Sequence, residues 1–190
     1  WFDETGIANV MQALHYIKAH YNVDDNRVIL AGVSDGGTGC YISGMHYPDE
    51  FAGYLVCSAS PELLSMAGIP ILPGNMRLRR WLVVHGGKDR LYPGERIRAL
   101  MEQFRAMDIP ITFHYYDTMP HGLDYMPQEK PSIMKFFLET ARDPFPRHLA
   151  FEAAAPMKVS WISADSLLPP ASPSRPSHAS VQASCSSETV

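Results

Sequence analysis

The chain has 190 residues, 46% hydrophobic and 19% charged, an ordinary balance for a globular domain. A formal net charge of −4 with no run of Lys or Arg argues against a nucleic-acid-binding surface. No apolar run approaches the ~18 residues of a membrane helix. The three cysteines, Cys40, Cys57 and Cys185, are odd in number and far apart, so neither a metal-ligand spacing nor a disulfide framework emerges.

Ile7, Val10, Met11, Leu14 and Ile17 recur at three- and four-residue steps, which predicts an amphipathic helix ending near "YNVDDN". "RVILAGV" follows, short, β-branched and almost wholly apolar, as a strand covered on both faces reads. Small residues from Gly36 to His46 predict a second helix, closed before Pro48. "FAGYLVCSAS" and "WLVVHG" read as further buried strands, separated by an irregular link of about 20 residues. The basic spot "RLRR" at 77–80 reads as a solvated flank of the second of these. Cys40 and Cys57 lie in apolar segments and are expected to be buried as small hydrophobes. "GERIRALMEQFRAMD" is a helix with Ile97, Leu100, Met101 and Phe104 on one face. "ITFHYYD" is a fourth strand and "KPSIMKFFLETA" a closing helix.

Such alternation predicts an α/β fold: a parallel sheet joined by right-handed crossovers, with helices on both faces. Ligands in these sheets gather at the carboxyl ends of the strands. Beyond about residue 162 the chain is crowded with Ser, Pro and Ala. We expect one domain over residues 1–162 and a disordered tail over 163–190.

Ser34 lies in Gly32-Val33-Ser34-Asp35-Gly36, a G-x-S-x-G pattern between a predicted strand and a predicted helix. A sharp turn there strains the serine backbone and crowds the positions two residues to either side, where glycine is tolerated. The turn lifts the hydroxyl above the sheet, and the helix N-terminus favours developing negative charge. The backbone N–H of Asp35 points into the same space as a candidate oxyanion donor.

A serine hydroxyl needs a base, and histidine has a suitable pKa. His15, His20, His46, His114, His148 and His178 fall on helices, within a strand or in poorly patterned segments, where a structural or surface role is expected. His121 differs, lying between Pro120 and Gly122 in a loop just past the last strand. His85, in "HGG", reads as the structural end of its strand. An orienting acid belongs at another strand end. Asp89 follows the third strand and gives the order Ser, Asp, His with each residue after a different strand. Asp35, Asp117 and Asp124 read as elbow filler, turn residue or loop charge.

With "GVSDGG", "HGGKDRLYP" and "MPHG" in that order, residues 5–160 resemble the C-terminal part of a serine α/β-hydrolase. Within that superfamily the chain is similar to bacterial esterases of the phospholipase/carboxylesterase-like and prolyl-oligopeptidase-like group. "HYPDEFAGYLVCSAS" adds to the likeness. The resemblance implies Ser34 as nucleophile, Asp89 as acid and His121 as base, acting on a small-molecule ester or a peptide without metal or organic cofactor. It also implies that the family's first strands, and the loop giving a second oxyanion donor, are missing here. The expected reaction is ester hydrolysis through an acyl-enzyme. Rivals are a prolyl-oligopeptidase-type peptidase, and a catalytically silent binding protein or inactive fragment.

Overall fold

The computed structural model describes residues 4–165 and 179–184. Helix α1, Glu4–His20, buries Ile7 and Leu14. A single 3-10 turn at Asp25–Arg27, capped by the Asp24 carboxylate on Asn26 N–H, turns the chain into strand β1, Ile29–Val33. Helix α2, Asp35–His46, leads to β2, Gly53–Cys57. The irregular link holds two short helices, α3, Glu62–Met66, and α4, Pro73–Met76. Strand β3, Arg80–Gly86, helix α5, Gly94–Ala106, strand β4, Ile111–Tyr116, and helix α6, Met126–Glu139, complete the α/β part.

The four strands are parallel in the order β1-β2-β3-β4. Alternation along each strand sends side chains to two cores. Tyr54, Val56, Trp81 and Val83 join residues of α1, α2, α4 and α5 on one face. Leu55, Cys57, Leu82 and Val84 meet Tyr125, Ile133 and Phe136, from α6 and its lead-in, on the other. Trp81 is fully buried beside Tyr54 and Tyr41, at ring-centre separations of 4.3 and 5.5 Å. Its indole N–H is satisfied by the Met76 carbonyl. Helix α5 follows the predicted stripe, burying Ile97, Met101 and Phe104. It closes with Asp108 at φ 59 and with Asp108 N–H on Arg105 O and Ile109 N–H on Phe104 O.

Three local expectations are corrected. Arg79 is no solvated flank but buried, donating to Phe51 O and Leu78 O and pairing with Asp49 at 3.0 Å. A guanidinium carries enough donors to satisfy backbone carbonyls and a carboxylate together, so burial leaves its charge paired. Helix α6 starts at Met126, ahead of the predicted "KPSIMKFFLETA", because Pro127 sits in its first turn, where no N–H donor is needed. Residues 179–184, expected to be disordered, form strand β8, Ala179–Ser184, antiparallel to β5, His148–Ala153. Backbone pairing to a strand already held in place needs little hydrophobic content, and Val181 packs against the small core around Phe151. Strands β6, Met157–Val159, and β7, Ile162–Ala164, form a hairpin beside that core. Ser163 and Ala164, at the start of the predicted tail, belong to β7, while residues 166–178 and 185–190, with His178 and Cys185, lie outside the described residues.

Asn75 of α4 fastens this β module to the α/β body. Its amide donates to Met45 O and Glu152 O and accepts from Glu152 N–H, while Glu152 Oε2 accepts from Gly74 N–H. Cys40 and Cys57 are free and buried, as expected.

Candidate active site

Ser34 lies between β1 and α2 at φ 53, ψ −120, a conformation L-residues rarely occupy. Its N–H donates to Cys57 O at 2.9 Å, and its carbonyl accepts Thr38 N–H at 3.0 Å. These bonds stitch the strained turn to β2 and to the first turn of α2. A Cβ on Gly32 would stand 2.1 Å from Gly36 O, so this position admits no side chain. At Gly36 a Cβ meets nothing within 4 Å, and the crowding falls one residue on. A Cβ on Gly37 would lie 2.6 Å from Ala59 Cβ. The expected demand for a small residue therefore holds before the serine and shifts from Gly36 to Gly37 after it, where α2 packs against the end of β2.

Ser34, His121 and Asp89, remote in sequence, are brought together. Ser34 Oγ lies 3.0 Å from His121 Nε2, and His121 Nδ1 lies 2.8 Å from Asp89 Oδ2. The Asp89 side chain is fully buried and His121 about one quarter exposed, at 23%. Asp89 Oδ1 accepts the N–H groups of Leu91 and Tyr92, each at 2.9 Å. With Oδ2 accepting from His121 Nδ1–H, the neutral imidazole has its lone pair on Nε2, facing the serine hydroxyl. Asp35, exposed, is the first residue of α2, and its N–H has no acceptor inside the helix.

Backbone bonds hold the loops around these groups. Gly87 N–H donates to Tyr116 O and Lys88 N–H to Met119 O, tying the acid loop to the histidine loop. A Cβ on Gly86 would be 2.4 Å from Met119 O, and one on Gly87 2.6 Å from Asp117 O. The "GG" of "HGG" thus lets the histidine loop lie against the end of β3. Ser58, at φ 47 after β2, donates its hydroxyl to Gly122 O at 2.9 Å and contacts the Tyr125 hydroxyl at 3.0 Å.

His85 is buried at the end of β3, as expected, but it also touches the site. Its Nε2–H donates to Tyr92 O at 2.9 Å and stands 3.5 Å from Asp89 Oδ2, while Nδ1 has no partner among the described residues. Burial, chiefly, holds its pKa below the ordinary histidine value. Tyr92 is a residue the sequence reading missed. Its ring stands edge-on to His121 with centres 5.6 Å apart, and its pKa is raised by burial first and by the Asp35 charge second. "DRLYP" offered no periodic or motif signal for this tyrosine. Its position follows from the turn that the Asp89 carboxylate caps.

The other histidines stand apart. His46 bonds to Pro70 O, His20 to Tyr16 O, and His114 Nδ1 to Glu129 at 2.8 Å. His15 is exposed on α1, and His148 is exposed at the start of β5. Among the described residues, no group of three or more His, Cys, Asp or Glu side chains is arranged to hold a metal ion. No described helix is long and apolar enough to cross a membrane.

No protein-family model and no curated protein sequence matches this chain. Solved structures do resemble it. A thermostable esterase superposes with a TM-score of 0.61 at 20% identity, covering 73% of this chain and 38% of the esterase. An S-formylglutathione hydrolase from Staphylococcus aureus gives 0.55 at 14% identity, over 73% of this chain and 62% of that enzyme. A fluorophosphonate-binding serine hydrolase from the same organism gives 0.53 at 15% identity, over 70% and 63%. The chain therefore spans between 38% and 63% of the length of these neighbours. At these identities the likeness is one of fold alone: a parallel four-stranded sheet with helices, a partial α/β-hydrolase fold.

Proposed function

We propose that the chain carries the catalytic centre of a serine hydrolase that cleaves carboxylic esters through an acyl-enzyme. The observation that carries this reading is the continuous Ser34–His121–Asp89 hydrogen-bonded chain at the carboxyl ends of three strands. The esterase and hydrolase neighbours support it at the level of fold.

In the forward half-reaction, Ser34 Oγ attacks the ester carbonyl carbon while its proton passes to His121 Nε2. Asp89, buried and acceptor-only, stabilises the imidazolium and fixes the ring orientation. The carbonyl oxygen, now an oxyanion, accepts the Asp35 N–H at the positive end of α2. Collapse breaks the carbon–oxygen bond to the alcohol, and His121 returns the proton to the departing oxygen. A water molecule then repeats the sequence on the acyl-enzyme. It loses its proton to His121, adds to the acyl carbon, and releases the acid with the proton restored to Ser34.

A fluorophosphonate probe tests this. The native protein is expected to take up one label at Ser34, located by peptide mass, and Ser34→Ala to take up none. Ester turnover should fall by about three or more orders of magnitude in Ser34→Ala and His121→Ala, because the residues act as a unit. A folded protein that leaves Ser34 unlabelled would refute the reading.

A further inference from the structure

Tyr92, whose ring meets His121, also lines a cavity of about 500 Å³, within the range of small-molecule sites. Its walls come from three segments, with Leu63 and Met66 of α3, Leu91 and Tyr92 of the acid loop and Ile97 of α5 supplying apolar surface and the charged Glu62 and Arg96 also lining it. We infer that this cavity holds the apolar part of the ester, with Tyr92 as the wall residue joining it to the reacting serine and histidine. The inference rests on the hydrolase reading above and names its substrate class, esters with a medium-sized, mainly apolar group.

Several observations converge. Met66 and Leu91 are among the most exposed large apolar side chains, at 82% and 66%, and both line this one cavity. Single exposed apolar residues are commonplace, whereas two lining one cavity mark a place where an apolar ligand can cover them. Methionine adapts its shape to such a ligand. The cavity walls are also held in place. Arg96 of α5 pairs with Glu62 of α3 at 2.7 Å, and Glu62 N–H donates to Ser60 Oγ, so the two helices are tied together at the cavity. Helix α3 is closed by Gly68 at φ 72, with Ile69 N–H returning to Leu64 O.

Tyr92 makes the connection. Its N–H is held by Asp89 Oδ1 and its carbonyl by His85 Nε2, so its backbone is fixed to the acid and to the end of β3. One side of the residue lines the cavity and its ring meets His121 edge-on. On this inference, a group bonded to a carbonyl on Ser34 turns toward Tyr92 to reach the cavity. The apolar group can come from the acyl or the alcohol side, since both leave the same carbonyl carbon.

Two ester series distinguish these sources: p-nitrophenyl acetate to octanoate, and methyl to octyl acetate. Met66→Trp and Leu91→Trp fill the cavity from exposed positions that need no repacking of the core. The ratio of kcat/KM for the longest to the shortest ester is expected to fall by about tenfold or more in both variants. Met66→Ser, which removes apolar surface without adding bulk, should lower the same ratio. Leu138→Trp, on the exposed outer face of α6, should leave it unchanged. A fall in the p-nitrophenyl series assigns the cavity to the acyl group, and a fall in the acetate series assigns it to the alcohol. Unchanged ratios in both series, with esters still hydrolysed, overturn the inference and leave the triad standing. If the unmodified protein neither hydrolyses any ester nor takes label at Ser34, the hydrolase reading fails, and the inference with it.

Discussion

Asp35 illustrates a conflict between stability and chemistry at a single residue. Its carboxylate at the N-terminus of α2 interacts favourably with the helix dipole, by about 0.3–1 kcal/mol. The same charge lies next to the N–H proposed to receive the oxyanion, where a negative group opposes the developing negative charge. Asp35→Asn is therefore expected to lower stability by a few tenths of a kcal/mol and to raise kcat/KM for a neutral ester by a few-fold, checked by urea unfolding and steady-state rates. The glycines give a second contrast. Gly36→Ala meets open space and adds helix propensity, so stability should be at or above the parent. Gly37→Ala drives a methyl into Ala59 and should cost about 1–3 kcal/mol. Thermal melts of the two variants decide it.

At the scale of elements, α6 is set in place by a buried acid. Glu129, in its first turn and with its side chain only 3% exposed, accepts from His114 at 2.8 Å and from the Tyr116 hydroxyl at 2.6 Å. Burial first, and this carboxylate second, push the Tyr116 phenol up to about 12. Tyr125, just before α6, donates to Val84 O and touches Ser58, which holds Gly122. The start of α6 is thus coupled to the loop that carries His121. Glu129→Ala should cost about 1–3 kcal/mol and lower the melting temperature by about 2–4 °C for each kcal/mol. It should also slow fluorophosphonate labelling of Ser34, because a shift of that loop misplaces the imidazole. A merely structural contact would lower the melting temperature and leave the labelling rate of the folded protein unchanged.

Across the whole molecule, buried and partly buried titratable groups limit stability at both ends of the pH scale. His85 and His46 are held below the ordinary histidine pKa, in each case chiefly by burial. Above that value neither the native nor the unfolded chain binds the proton. Below it the unfolded chain binds protons that the native one refuses, so stability falls as pH falls through the ordinary histidine range. Burial pushes the Cys57 thiol up to about 11, so at high pH the unfolded chain loses its proton first and stability falls again. Urea midpoints between pH 5 and 7 should decline toward acid (about 6.5 being the ordinary histidine pKa). His85→Gln should flatten that decline whatever its absolute stability.

Much of this was legible in the amino-acid order because local rules and tertiary packing agree. Continuous apolar runs mark the buried strands, since a sheet covered on both faces demands them, and period-3.6 apolar patterns mark the long helices. The pairing of Ser34 with Asp89 and His121 could be expected because strand ends in a parallel sheet lie side by side. What the tertiary structure decided depends on atoms far apart in sequence. It shifted the steric demand from Gly36 to Gly37, since only the packing of α2 on β2 brings Ala59 there. It buried Arg79, since the carbonyls of Phe51 and Leu78 and the Asp49 carboxylate converge only in the folded chain. It made a strand of 179–184 by offering β5 as a partner, and it placed Tyr92 between a cavity and a histidine. Sequence determines which faces must be buried, because burial depends on local pattern. Which distant groups then touch depends on how those faces meet, and that is settled only by three-dimensional packing.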